Sequence, residues 1–191
     1  FGNRGIEGMI LAVRFARENK IPFFGICLGL QIAIIEMTRN LLNLKDANST
    51  EFKPRTKNKV ISLITEWKNK DGTVEKRNKN SDKGGTMRLG AQNASLLKGS
   101  LARSLYKMKT IFERHRHRYE VNPDYVPMLE NKGLIVSARS EVHNLVEMIE
   151  LKDHPWFLGC QFHPEFTSKP KTGHPLFNDF IKTAVKLKKK K

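Results

Sequence analysis

The chain has 191 residues, 39% hydrophobic and 28% charged, with two cysteines; this fits one domain, or one with an appendage, and excludes a disulfide scaffold or a cysteine-rich zinc site. No apolar run approaches the roughly 20 residues of a membrane span, and no charged-then-apolar leader opens the chain, so a cytoplasmic protein with reduced thiols is expected. The net charge of +16 is spread out, without zinc-finger spacing, an aromatic RNA-recognition signature or a heptad repeat, so nucleic acid is not the expected partner.

Phe1-Gly2-Asn3-Arg4-Gly5 reads as the middle of a loop. Ile6, Met9, Ile10, Val13 and Ala16 then follow helical spacing, which Pro22 ends. Phe23-Phe24-Gly25-Ile26 is a short apolar run, predicted as a buried strand. Beyond Cys27, the residues Ile32, Ile35, Glu36 and Arg39 mark a second helix. Residues 40–59 read as polar loop and residues 60–64 as a strand. The stretch 69–85 is rich in Lys, Asn, Asp and Gly, with Val74 its one apolar residue, and reads as a surface loop. Strand-like runs follow at 86–89, 110–112, 134–137, 146–151 and 156–162. Leu176, Phe177, Phe180, Ile181 and Ala184 place an amphipathic helix over 175–185, and a basic tail occupies 186–191. Helix-flanked early strands with hairpin-like later ones predict an α/β fold with an antiparallel portion.

Gly25-Ile26-Cys27-Leu28-Gly29 is a G-x-C-x-G sequence between a strand and a helix, the cysteine form of a nucleophile elbow. Both glycines are expected because a Cβ would obstruct the tight turn. The helix N-terminus is expected to lower the thiol pKa, and the Leu28 N–H to donate to an oxyanion. A buried structural cysteine is the other reading of this pentapeptide. Gln161-Phe162-His163-Pro164-Glu165 offers a base. Residues two apart on an extended segment face the same way, so His163 and Glu165 are expected to meet. Cys160, without a glycine turn, reads as core. In residues 113–119, alternation puts Glu113, His115 and His117 on one face and Arg114, Arg116 and Arg118 on the other. The arginines suit a carboxylate. They argue against a metal at His115 and His117, and a solvated edge strand is the alternative. The glycosylation patterns at Asn48 and Asn93, and the pair Gly84-Gly85, are set aside.

Together these blocks resemble the class I (triad-type) glutamine amidotransferases, and most narrowly the C-terminal amidotransferase domains of the CTP synthase family. The resemblance rests on residues 25–31, 48–52, 84–90, 113–120 and 161–166, in the family's order over nearly the whole chain. It implies a flavodoxin-like α/β fold, incomplete at the N-terminus, over residues 1–185. It also implies Cys27 as nucleophile, His163 as base, Glu165 as its orienter and Leu28 N–H as oxyanion donor. Phe1, Gly2, Gln31, Glu51 and Arg118 match the family's glutamine pocket, Glu51 suiting the α-ammonium and Arg118 the α-carboxylate. Residues 69–90 resemble the family's lid, with Arg77 a contributor to the response to GTP.

The implied activity is glutamine hydrolysis through a cysteine thioester, supplying ammonia for ATP-dependent amination of UTP to CTP. ATP and magnesium belong to a separate synthase domain, GTP is an allosteric activator, and no cofactor or metal is implied for this domain itself. L-Glutamine, the synthase domain and a homotetrameric parent are the implied partners. The domain's first strands, and a glycine completing the oxyanion hole, are expected upstream of Phe1. A weakly active piece or a non-catalytic remnant is therefore expected for this stretch alone. Another triad amidotransferase, such as GMP synthetase, would lack the 113–120 block and the lid.

Overall fold

The computed structural model describes residues 4–63, 66–68, 74–76 and 87–189. Its helices are α1 (Ile6–Glu18), α2 (Leu28–Leu41), α3 (Leu101–Tyr106), α4 (Val126–Glu130) and α5 (Pro175–Lys188). Its strands are β1 (Phe23–Ile26), β2 (Asn48–Ser49), β3 (Lys59–Leu63), β4 (Glu66–Lys68), β5 (Val74–Lys76), β6 (Arg88–Leu96), β7 (Thr110–His117), β8 (Tyr119–Val121), β9 (Leu134–Ser140), β10 (Val146–Leu151) and β11 (Phe157–Cys160).

Six strands form the main sheet in the order β1-β11-β10-β9-β6-β7. Its β1–β11 pair is parallel and the rest are antiparallel. A small sheet β2-β3-β8 and the antiparallel pair β4-β5 complete the strands among the described residues. The main sheet is covered on both faces, because successive residues point to opposite sides. Ile149 and Phe157 join the core under α1 and α2, whereas Met148 and Leu158 join the core under α3 and α5. No helix among the described residues is long and apolar enough to cross a membrane.

The two helices that frame β1 differ in kind. α1 buries one stripe, Ile6, Ile10, Val13 and Ala16, as its period predicts. In α2 residues 30–38 are all buried, so this helix has no solvent face along most of its length. An ion pair joins them: Arg17 grips the fully buried Glu36 at 2.9 and 2.8 Å, and Asn40 Nδ2 donates to the same carboxylate at 3.1 Å. A second buried carboxylate, Glu150 of β10, accepts from the Leu101 and Ala102 N–H groups at 2.9 and 2.8 Å. It thereby caps the start of α3, where anionic charge is favoured.

The structure departs from the sequence expectations in several places. β6 runs on to Leu96 rather than stopping at residue 89. Val74, expected in a loop, belongs to a strand paired with β4. α3 and α4 are short helices the apolar spacing does not reveal. α5 continues to Lys188, so Lys186 and Lys188 lie in its last turn, where cations suit the helix dipole, and not in a separate tail. Most of the lid-like stretch lies outside the described residues.

Arg17→Met leaves the Glu36 carboxylate buried without its cation, and is expected to cost about 3 kcal/mol in urea unfolding. Adding Glu36→Leu removes the stranded charge and is expected to recover most of that loss. A double variant as unstable as the single would show that the pair is not what holds α1 against α2.

Candidate active site

β1 passes directly into α2 through Cys27, which has φ 51° and ψ −98°. Such a backbone is strained for a residue with a Cβ, and it persists only where the surroundings fix it. Cys27 N–H donates to the Cys160 carbonyl at 2.7 Å, extending the β1–β11 pairing by one residue. The Cys27 carbonyl in turn accepts from Gln31 N–H at 3.3 Å, the first turn of α2. A Cβ on Gly25 would lie 2.7 Å from the carbonyl carbon and oxygen of Gly29, so glycine is obligatory there. A Cβ on Gly29 would meet nothing within 4 Å. Only the first glycine is therefore demanded by the turn, and the expectation for the second is corrected.

The sulfur accepts from Gln161 Nε2 at 3.6 Å and from the Leu28 N–H. Burial nevertheless pushes the thiol up to about 11, and the Glu120 and Glu165 charges push the same way against the two hydrogen bonds. The expected lowering of the thiol pKa is overturned: loss of water outweighs the helix N-terminus. Cys160 is fully buried, as expected.

His163 and Glu165 meet, with Nδ1 2.6 Å from Oε1. The cause is not strand alternation. Residues Pro164–Phe166 form a 3-10 turn that folds the carboxylate back onto the ring. The ring also stacks on Phe166 at 5.1 Å, and His163 N–H donates to the Arg114 carbonyl at 2.8 Å. The ring's other nitrogen, Nε2, is buried without a hydrogen-bond partner.

A cavity of about 290 Å³ opens beside the sulfur, lined by Cys27, Leu28, Gln31, Glu51, Phe52, Met87, Arg116, His117, Arg118 and Tyr119. It brings together Cys27, Leu28, Gln31, Glu51 and Arg118 from separate parts of the fold. His163 and Glu165 are not in its wall, and Phe1, Gly2 and Arg77 lie outside the described residues. Both amide protons of Gln31 are committed, to the Tyr119 carbonyl at 2.9 Å and to Gln161 Oε1 at 3.3 Å. Gln31 thus ties β8 and Gln161 to α2. Burial raises the Glu51 carboxyl pKa. The cavity has carboxylate chemistry at Glu51 and guanidinium chemistry at Arg116 and Arg118, which suits a zwitterionic amino acid.

Sequence reasoning missed Phe52, Met87, His117 and Tyr119 as wall residues. For His117 the signal was present in the alternation of β7, where Glu113, His115 and His117 are buried and Arg114 and Arg116 exposed. Behind that wall lies a buried network. Arg88 reaches Glu120 at 3.0 Å and Glu147 at 2.5 Å, His115 meets Glu147 at 2.7 Å, and His117 meets Glu120 at 2.6 Å.

Residues 1–183 match the family model described as "Glutamine amidotransferase class-I". The glutaminase domain of Trypanosoma brucei CTPS (CTP synthase) with bound acivicin is similar at 38% identity and a TM-score of 0.86, covering 97% of this chain and 68% of that one. A protein from Thermoplasma acidophilum named as a GMP synthase component is similar in fold alone, at 15% identity and a TM-score of 0.55, covering 98% of this chain and 70% of that one.

Two measurements check the elbow. Gly25→Ala is expected to cost about 2 kcal/mol or more in thermal unfolding, since backbone must move. Gly29→Ala, in open space on a helix, is expected to be neutral or to stabilise by about 0.5 kcal/mol. Iodoacetamide labelling of Cys27 is expected to speed up about tenfold per pH unit through the neutral and mildly alkaline range, as the thiolate fraction rises. It should level off only near the thiol pKa of about 11. A plateau at neutral pH would show an already ionised sulfur.

Proposed function

The chain belongs to the class I glutamine amidotransferases, and from that premise we propose that it is the glutaminase domain of a cytoplasmic CTP synthase, hydrolysing L-glutamine through a Cys27 thioester. The observation that carries this reading is the parallel pairing of β1 with β11. It delivers the Cys27 elbow and the His163–Glu165 pair to the same end of the sheet, beside a cavity with opposite charges on its walls.

In this reading His163 Nε2 takes the thiol proton as the sulfur attacks the side-chain amide carbon. Leu28 N–H donates to the oxygen on which negative charge develops. The adduct collapses: the C–N bond breaks, the nitrogen takes the proton from His163, and ammonia leaves a γ-glutamyl thioester. Water, giving a proton to His163, then attacks the thioester and restores the thiol. Glu165 holds the ring and offsets its charge. Glu51 takes the α-ammonium and Arg118 the α-carboxylate, with Gln31 supporting the wall. The family resemblance adds Phe1 and Gly2 to the pocket and Arg77 to a GTP response. In the whole enzyme the ammonia would aminate UTP at an ATP- and magnesium-dependent synthase domain within a tetramer.

An electrophilic glutamine analogue, a diazoketone, is expected to label the chain and its Cys160→Ala variant but not Cys27→Ala, read by mass spectrometry. Labelling of none of them, or persistence in Cys27→Ala, would overturn the reading. Glu51→Gln and Arg118→Ala are expected to raise KM for glutamine about tenfold or more while changing kcat little, because both hold groups that do not react.

A further inference from the structure

The turn after His163 sets the position of its ring. Glu165 meets the ring edge at Nδ1, 2.6 Å away, and Phe166 stacks on its face. Yet this is a single 3-10 turn, Pro164–Phe166, with Glu165 and Phe166 both exposed. Its internal bonds are short-range: Phe166 N–H to the His163 carbonyl at 3.1 Å, and the Thr167 and Ser168 N–H groups to the Pro164 carbonyl at 3.2 and 3.0 Å. A turn of this kind has poor hydrogen-bond geometry and is not stable by itself. Its placement must come from what grips it.

β7 grips both ends. At the entry, the Arg114 carbonyl accepts His163 N–H at 2.8 Å. At the exit, Glu113 Oε2 accepts Thr167 Oγ1–H at 3.0 Å. Two consecutive residues of one strand thus hold the residues on either side of the turn, one through its backbone and the other through its side chain. The strand is itself fixed against β6, from Arg88 opposite His117 to Ser95 opposite Thr110.

Glu113 is built as a rigid anchor. It is only 5% exposed. Its Oε1 receives Tyr106 Oη–H at 2.9 Å and meets His174 Nε2 at 2.8 Å, so α3 and the start of α5 hold one oxygen and leave the other to Thr167. The Thr167 hydroxyl also lies 3.2 Å from the Pro164 carbonyl, and the carboxyl oxygen is the nearer acceptor. Glu113 is not part of the cavity wall, and the proposed reaction gives it no task.

We propose that Glu113, acting through the Thr167 hydroxyl, is a positioning residue that fixes the exit of the turn and so keeps Glu165 on the His163 ring. The inference rests on the glutaminase reading. Glu113 touches neither substrate nor sulfur in it. Its contribution falls on the chemical step, because a displaced base transfers its proton poorly. Binding of glutamine is left to Glu51 and Arg118.

The test uses the full chain and the kinetics of glutamine hydrolysis. Thr167→Val removes the hydroxyl, keeps the branched shape and changes an exposed position, so the fold is not at stake. It is expected to lower kcat about fivefold or more while KM stays within about twofold, the opposite split to that of Arg118→Ala. Thr167→Ser, which restores the hydroxyl, is expected to restore kcat. In a chain already carrying Glu165→Ala, Thr167→Val is expected to lower kcat by less than about twofold, since the turn then has no carboxylate to hold. Glu113→Gln is expected to lower kcat in the same way, with thermal melts to show that it is folded. An unchanged kcat in Thr167→Val, a loss of full size in the Glu165→Ala background, or a raised KM with kcat intact would overturn the inference while leaving the glutaminase reading in place. A parent chain that neither hydrolyses glutamine nor takes the diazoketone label would defeat that reading, and this inference with it.

Discussion

Gly25 and Gly29 approach so closely that no side chain fits on the first, and the geometry of the site depends on that contact. It lets β1 enter α2 with Cys27 as the only residue between them, held at a positive φ. The strain has no route of release. On one side β1 is paired in parallel with β11, and on the other α2 is buried along residues 30–38. Moving the cysteine would mean sliding an internal helix through a close-packed core. Strain of this kind is retained because it costs less than the packing it would disrupt.

The interior is more acidic than the composition suggests. Among the described residues Glu36, Glu113, Glu120, Glu147 and Glu150 are buried, five of the 19 acidic residues in the chain. Each has specific partners: Arg17 for Glu36, Arg88 for Glu120 and Glu147, helix N–H groups for Glu150. Glu113 receives Tyr106 Oη–H at 2.9 Å, Thr167 Oγ1–H at 3.0 Å and His174 at 2.8 Å, so it ties α3, the segment after β11 and α5 together. Drawing these carboxylates inward removes their charges from the surface of the described residues.

What the sequence disclosed was local. The Cys27 elbow is written in five consecutive residues, and the alternation of β7 in seven. What it hid came from contacts distant along the chain. The start of α3 is held by Glu150, 49 residues away, as well as by its own Ser100 cap, and six residues are too few to show an amphipathic period. The partnership of Arg88 with Glu147 spans 59 residues. The thiol pKa followed from a local argument about a helix N-terminus and failed, because desolvation is set by everything packed around the sulfur. The meeting of His163 with Glu165 was anticipated through extended geometry and is achieved through a 3-10 turn, since Pro164 favours turn entry. Phe52 and Met87 could not be found from spacing, as nothing in an isolated apolar residue tells a cavity wall from a core.

The raised thiol pKa and the proposed reaction are compatible once the proton is followed. While His163 is neutral, Glu165 is an uncompensated negative charge that opposes thiolate, and Glu120 opposes it too, although Arg88 shares its charge. Transfer of the thiol proton to His163 changes that environment. In the proposed reaction the imidazolium and Glu165 then form a neutral pair, so the Glu165 charge no longer opposes the thiolate. The carboxylate that suppresses ionisation of the sulfur on its own therefore ceases to do so when ionisation is coupled to proton transfer. Such a site keeps its cysteine protonated at rest, and loss of water strengthens every one of these interactions once a ligand fills the cavity.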